Sequence, residues 1–132
     1  MSHTNIFLAT IVYVFAATAC ASPVAPIRIG GSAEVDACSA LGKVMGLKVT
    51  GDGFLAVRSG PKHSFDKIDE IVNEQLVFIC DSSYNGNWLG IVYSPSGDDN
   101  CGVTSPIEDR HAYSGPCKMG WVNSKWIEVV AG

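Results

Sequence analysis

Five cysteines in a chain of 132 residues constrain this sequence more than any other feature: Cys20, Cys38, Cys80, Cys101 and Cys117. A short chain that uses cysteine this often either binds metal or staples itself in an oxidising compartment. Zinc needs clustered His and Cys ligands, and the scattered His63 and His111 do not give them. Stapling is therefore the reading, and the odd count adds a condition. One cysteine is lost, modified or left as a free thiol.

The N-terminal segment bears on which. Residues Ile6 to Ala19 form an uncharged apolar run, too short to span a bilayer as a helix and long enough for the core of a signal peptide. The run ends in small residues, and Ala17-Thr18-Ala19-Cys20 resembles a bacterial lipobox with alanine where leucine is usual. Cys20 is accordingly the expected lipidation site. Cleavage after Ala21 would remove it instead, and cleavage after Ala19 without lipid would leave a free thiol. The first two outcomes leave four cysteines that can pair. The chain then divides into a signal peptide with lipobox over residues 1–20, a linker over 21–36 and one domain over 37–132. The linker reading rests on the two prolines and two consecutive glycines of Ala21 to Gly31. The expected location is the periplasm or the outer membrane as a lipoprotein, with simple secretion as the alternative.

The formal net charge of −4 stays with the mature part, since residues 1–19 contain no Asp, Glu, Lys or Arg. An acidic chain without a basic stripe suits neither nucleic acid nor an anionic membrane surface. Any membrane association is expected only through the lipid.

Beyond the linker the pattern is one of short strands. Gly42 to Val49, Phe54 to Arg58, Leu76 to Cys80, Trp88 to Tyr93, a strand from Gly120, and Trp126 to Val130 are rich in apolar and β-branched residues. Gly51-Asp52-Gly53, Ser59-Gly60-Pro61 and Asn85-Gly86 separate them with turn chemistry. Lys62 to Asn73 is polar and reads as a structured loop. The expectation is an all-β fold, a small barrel. From Ser94 to Met119 no strand is legible, and a loop that long needs something to organise it. Cys101 and Cys117 lie inside it, so a bridge between them would turn residues 94–119 into a rigid inserted lobe. Cys38 and Cys80 then pair by elimination; a Cys80–Cys101 link is the competing arrangement.

Three motifs resemble the bacterial Src-homology-3-like (SH3b) domains of exported proteins. Leu55-Ala56-Val57-Arg58-Ser59-Gly60-Pro61 is similar to the L-N-V-R-S-G-P signature, with Ala56 in place of asparagine. Trp88 falls where the family has a tryptophan opening a middle strand. Gly120-Trp121-Val122 and Ser124-Lys125-Trp126-Ile127 resemble its G-W-V-x-x-x-Y-(L/I) ending. The resemblance implies a small SH3-like barrel carrying a disulfide-closed insertion in a hairpin loop. It also implies a ligand groove lined by Trp88 and Trp126, with Tyr84 on the adjoining loop, and an insert at the hairpin tip opposite that groove. Trp121 is expected in the core. Arg58 is expected to anchor its loop, and Gly60-Pro61 to force a turn with unusual φ angles.

Catalytic constellations do not assemble from this sequence. The cysteines are better used in bridges, no carboxylate pair stands out, and the carboxylates near His63 read as a solvated face. Ser96 to Asn100 lacks the ligand alternation of a calcium loop. The expectation is no enzyme, no metal and no cofactor. What remains is a binding module of the cell envelope, for peptidoglycan stem peptides or a partner protein. The alternative is a secreted inhibitor or toxin-like effector acting through the stapled lobe.

Overall fold

The computed structural model describes residues 2–16, 23–48, 50–51, 53–97 and 100–132. Residues 2–16 form no regular element and expose their apolar side chains, Phe7 and Phe15 among them. Among the described residues no helix is long and apolar enough to cross a membrane. Cys20 and the lipobox lie outside the described residues.

The rest is all-β. The strands are β1 (Arg28–Ile29), β2 (Ser32–Asp36), β3 (Ala40–Val44), β4 (Leu55–Arg58), β5 (Lys67–Ile71), β6 (Leu76–Ser82), β7 (Trp88–Tyr93), β8 (Pro106–Ile107), β9 (His111–Ala112), β10 (Lys118–Asn123) and β11 (Ile127–Ala131). A 3-10 turn, Ser124–Trp126, leads into β11. Seven strands form one antiparallel sheet in the order β11-β3-β6-β7-β10-β4-β5, and β1-β9 and β2-β8 make two small ribbons. The expected barrel closure is not there. The outer strands β5 and β11 do not pair, and the segment after β3 is tied to the turn after β5 by a side chain. Asn73 Oδ1 accepts from Leu47 N, and Asn73 Nδ2 donates to Leu47 O, both at 3.0 Å.

The sheet is covered on both faces, which period-2 alternation along β7 makes visible. Ile91 and Tyr93 point into an inner core with Val44, Leu55, Val57, Ile71, Val77 and Val122. Side chains from β3, β4, β5, β6, β7 and β10 meet there, so the sheet curls around it. On the opposite, outer face lie Trp88 and Val92 with Phe78, Met119 and Trp121. What covers that face was read as a linker and a lobe.

The linker reading is corrected. Residues 24–29 lie against the sheet as a strap, with Ile27 and Ile29 buried at 0% and 3% exposure, and residues 32–36 pair with β8. Ala25 N donates to Ser59 O, Trp121 Nε1 to Ala25 O, and Arg28 N to Asp81 Oδ2. Prolines do not oppose this: an extended segment laid over a sheet face needs no ladder donor at those positions. Gly30 is required where strap and lobe touch. Its φ is +78°, and a Cβ there would stand 2.6 Å from Asp109 O.

The lobe is likewise no free projection. β9 pairs with β1, β8 with β2, and Tyr113 N donates to Ile27 O. Both predicted bridges are present, Cys38–Cys80 and Cys101–Cys117. They sit in one cluster with Ile29, Val92, Val103 and Tyr113. Tyr113 fastens the lobe beside its bridge: its hydroxyl donates to Cys101 O at 2.9 Å and accepts from Cys117 N at 3.1 Å.

The second departure is β5, where a loop was expected. Its inward residues are Asp69 and Ile71. Asp69 is tolerated because Tyr93 Oη donates to Asp69 Oδ2 at 2.7 Å and Lys118 Nζ stands 3.2 Å away. Partial burial works against the charged carboxylate. The Tyr93 hydroxyl, the Glu70 amide and Lys118 outweigh it and hold its pKa below the ordinary 3.8, while burial and the same carboxylate push the Tyr93 phenol upward. A lowered folded-state pKa means stability that is present above the unfolded value and lost as pH falls through the folded one. Urea midpoints measured from neutral pH downward should therefore drop below about pH 4, and Asp69→Asn should flatten that limb. An unchanged acid limb in the variant would contradict the assignment.

Candidate functional site

Leu55, Ala56 and Arg58 of the Leu55-to-Pro61 signature form one wall of a cleft. β4 buries Leu55 and Val57 inward and turns Ala56 and Arg58 to the outer side. The loop beyond is fixed by Ser59 N donating to Asp66 O, Lys62 N to Gly60 O and Phe65 N to Lys62 O. Arg58 Nη1 donates to Phe65 O at 3.0 Å, the anchoring role expected of it. Gly60 is needed for a different reason from the one read in the sequence. No left-handed φ is involved; the Phe65 ring lies on its Cα, and a Cβ would stand 2.6 Å from two ring carbons.

The cleft holds about 400 Å³, within the usual range for small-ligand sites of about 300–1,000 Å³. Phe54, Trp88 and Trp126 supply its aromatic surface, Arg58 and Lys67 its cations, and His63 and Asn123 further polar groups. Strand register explains the meeting. Asn123 of β10 faces Trp88 of β7, Trp121 faces Arg58 of β4, and Arg58 in turn faces Lys67 of β5. Trp126 arrives from the 3-10 turn, where Asn123 Oδ1 accepts from Lys125 N.

The three aromatic residues expected at a groove fare differently. Trp126 lines the cleft half-buried, with one face against Gly46 and Lys125 Nζ 5.0 Å from its ring centre. Trp88 lines it too but is only 7% exposed, packed under Ile27 beside Trp121, so it is a floor and not a projecting anchor. The strap, not the lobe, covers it. Its ring and the His63 ring meet in a T-shaped contact, centroids 4.9 Å apart. Tyr84 is fully exposed at the tip of the β6–β7 turn and does not line the cleft. That turn follows its expected chemistry: Gly86 takes a φ of +74°, its N donates to Ser83 O, and Ser83 Oγ accepts from Trp88 N. Nothing in it turns Tyr84 back.

Phe54, His63 and Lys67 were missed in the sequence. Phe54 and Lys67 pack together, the ammonium 4.8 Å from the ring centre, and this pairing depends on β5 being a strand. Among the described residues no group of three or more His, Cys, Asp or Glu could hold a metal ion. The cleft offers ring faces and hydrogen-bond donors, which suits holding an extended segment. No family model, curated protein or solved structure matches this chain.

Proposed function

We propose that the mature part of this protein is a non-catalytic, Src-homology-3-like binding module of the cell envelope, taking peptidoglycan stem peptides or an extended segment of a partner protein into the Trp126 cleft. One observation carries the reading. All three sequence motifs that resemble the family, far apart in the chain, contribute to one cleft: Ala56 and Arg58 from the first, Trp88 as the second, and Trp126 from the third. Two disulfides are compatible with an oxidising, exported compartment. The exposed apolar residues between Ile6 and Phe15 fit a segment made for the export machinery. Lipidation of Cys20 belongs to the same proposal, and mass spectrometry of the membrane fraction reads it directly.

The test is retention on purified sacculi, with wild type and Trp126→Ala side by side. Wild type should be retained, and the variant weakened by about 2 kcal/mol or more with its fold intact. Equal retention of both would take the cleft out of the reading. Co-purification with one enzyme through the lobe, with no sacculus binding, would favour the inhibitor alternative instead.

A further inference from the structure

The cleft is cationic on a protein that is not. The chain carries a net charge of −4, yet Arg58 and Lys67 line this site and no Asp or Glu does among the described residues. Arg58 and Lys67 are moreover cross-strand partners in the β4–β5 ladder. Like charges placed opposite one another in an antiparallel pair destabilise it. Here each has a partner that offsets the repulsion, Arg58 the Phe65 carbonyl and Lys67 the Glu70 carboxylate. Glu70 itself is not part of the lining.

We propose that this cleft recognises a peptide carboxylate, with Arg58 and Lys67 holding the charged end and Trp126 and Phe54 the apolar body behind it. The inference rests on the cleft being the binding site and adds the chemical class of what enters it. Arg58 has five N–H donors in a planar fork, and Phe65 O occupies one of its nitrogens; the fork suits two carboxylate oxygens. Because the loop fixes that guanidinium before any ligand arrives, little side-chain entropy is lost on contact. The lining is otherwise largely apolar, with Leu47, Leu55 and Ala56 beside the rings. It therefore suits one charged end on a compact apolar segment better than a polyanion. Both a wall stem peptide and a protein C-terminus offer that chemistry.

Calorimetry on the processed, disulfide-bonded protein purified from the envelope separates the possibilities. The probes are acetyl-Lys-D-Ala-D-Ala, its all-L counterpart, and the C-terminal amide of each. The acid of at least one pair should bind about tenfold or more tighter than its amide, the ratio that a charge-assisted hydrogen bond supplies. Preference for the D-configured acid assigns a wall peptide as the source, and preference for the L acid a protein terminus. Lys67→Gln should shrink the acid-to-amide ratio to about threefold. Arg58→Lys, which keeps the charge and removes the fork, should do the same. Equal affinity of acid and amide, or no affinity for either, overturns the inference. Sacculus retention without an acid preference would overturn it while leaving the broader reading in place.

Discussion

Trp121→Ala is expected to destabilise the fold by about 3–5 kcal/mol, and Trp88→Ala by a similar amount. The two indoles are 5% and 7% exposed and form one cluster with Ile27 under the strap. Removing either leaves a cavity bounded by a disulfide-tied sheet on one side and a hydrogen-bonded strap on the other, so collapse around the gap is limited. Trp121 carries an added loss, since its Nε1 donor to Ala25 O holds the strap. Urea or thermal unfolding measures both. The pair differs from Trp126, which is half-buried and packs against the inner core from the cleft side, so its removal should cost less stability than either. A Trp88→Ala protein as stable as wild type would mean that the strap does not seal the outer core.

The second large effect concerns the bridges. Cys38–Cys80 spans 42 residues and Cys101–Cys117 spans 16. On the loop-closure model their removal costs about 4 and about 3 kcal/mol respectively. Paired alanine substitutions should therefore rank in that order in denaturant midpoints. Both bridges lie in the outer core, so loss of Cys101–Cys117 should loosen the strap as well as the lobe, through β1–β9 and the Tyr113 bond to Ile27. Hydrogen exchange at Ile27 and Tyr113 reads this. Protection unchanged at both in the Cys101→Ala/Cys117→Ala protein would show that lobe and strap are independent.

These two effects mark where the sequence was and was not legible. β6 and β7 stand out because Leu76 to Cys80 and Trp88 to Tyr93 are dense in β-branched and aromatic residues. Both bridges followed from the length of the gap and from elimination. β5 was hidden because Lys67, Asp69 and Glu70 make three of its five residues charged. The Tyr93 hydroxyl that makes an inward Asp69 tolerable is 24 residues away. The strap was hidden by Pro23, Pro26 and the Gly30-Gly31 pair, which are as compatible with an extended segment laid on a sheet as with a tether. The alternation of Ile27 and Ile29 was the available signal. Trp126 could be placed at the site from its motif. Tyr84 could not, because the turn that carries it points away from the cleft, a matter of geometry that no local pattern encodes.

The most direct measurement is chemical-shift mapping of the isotope-labelled protein during titration with solubilised stem peptides. The cleft reading predicts shifts at the Trp126 indole, Phe54, Arg58, His63 and Lys67, with the exposed Tyr84 and the lobe around Tyr113 unmoved. Shifts confined to the lobe, or none in the cleft, would contradict it.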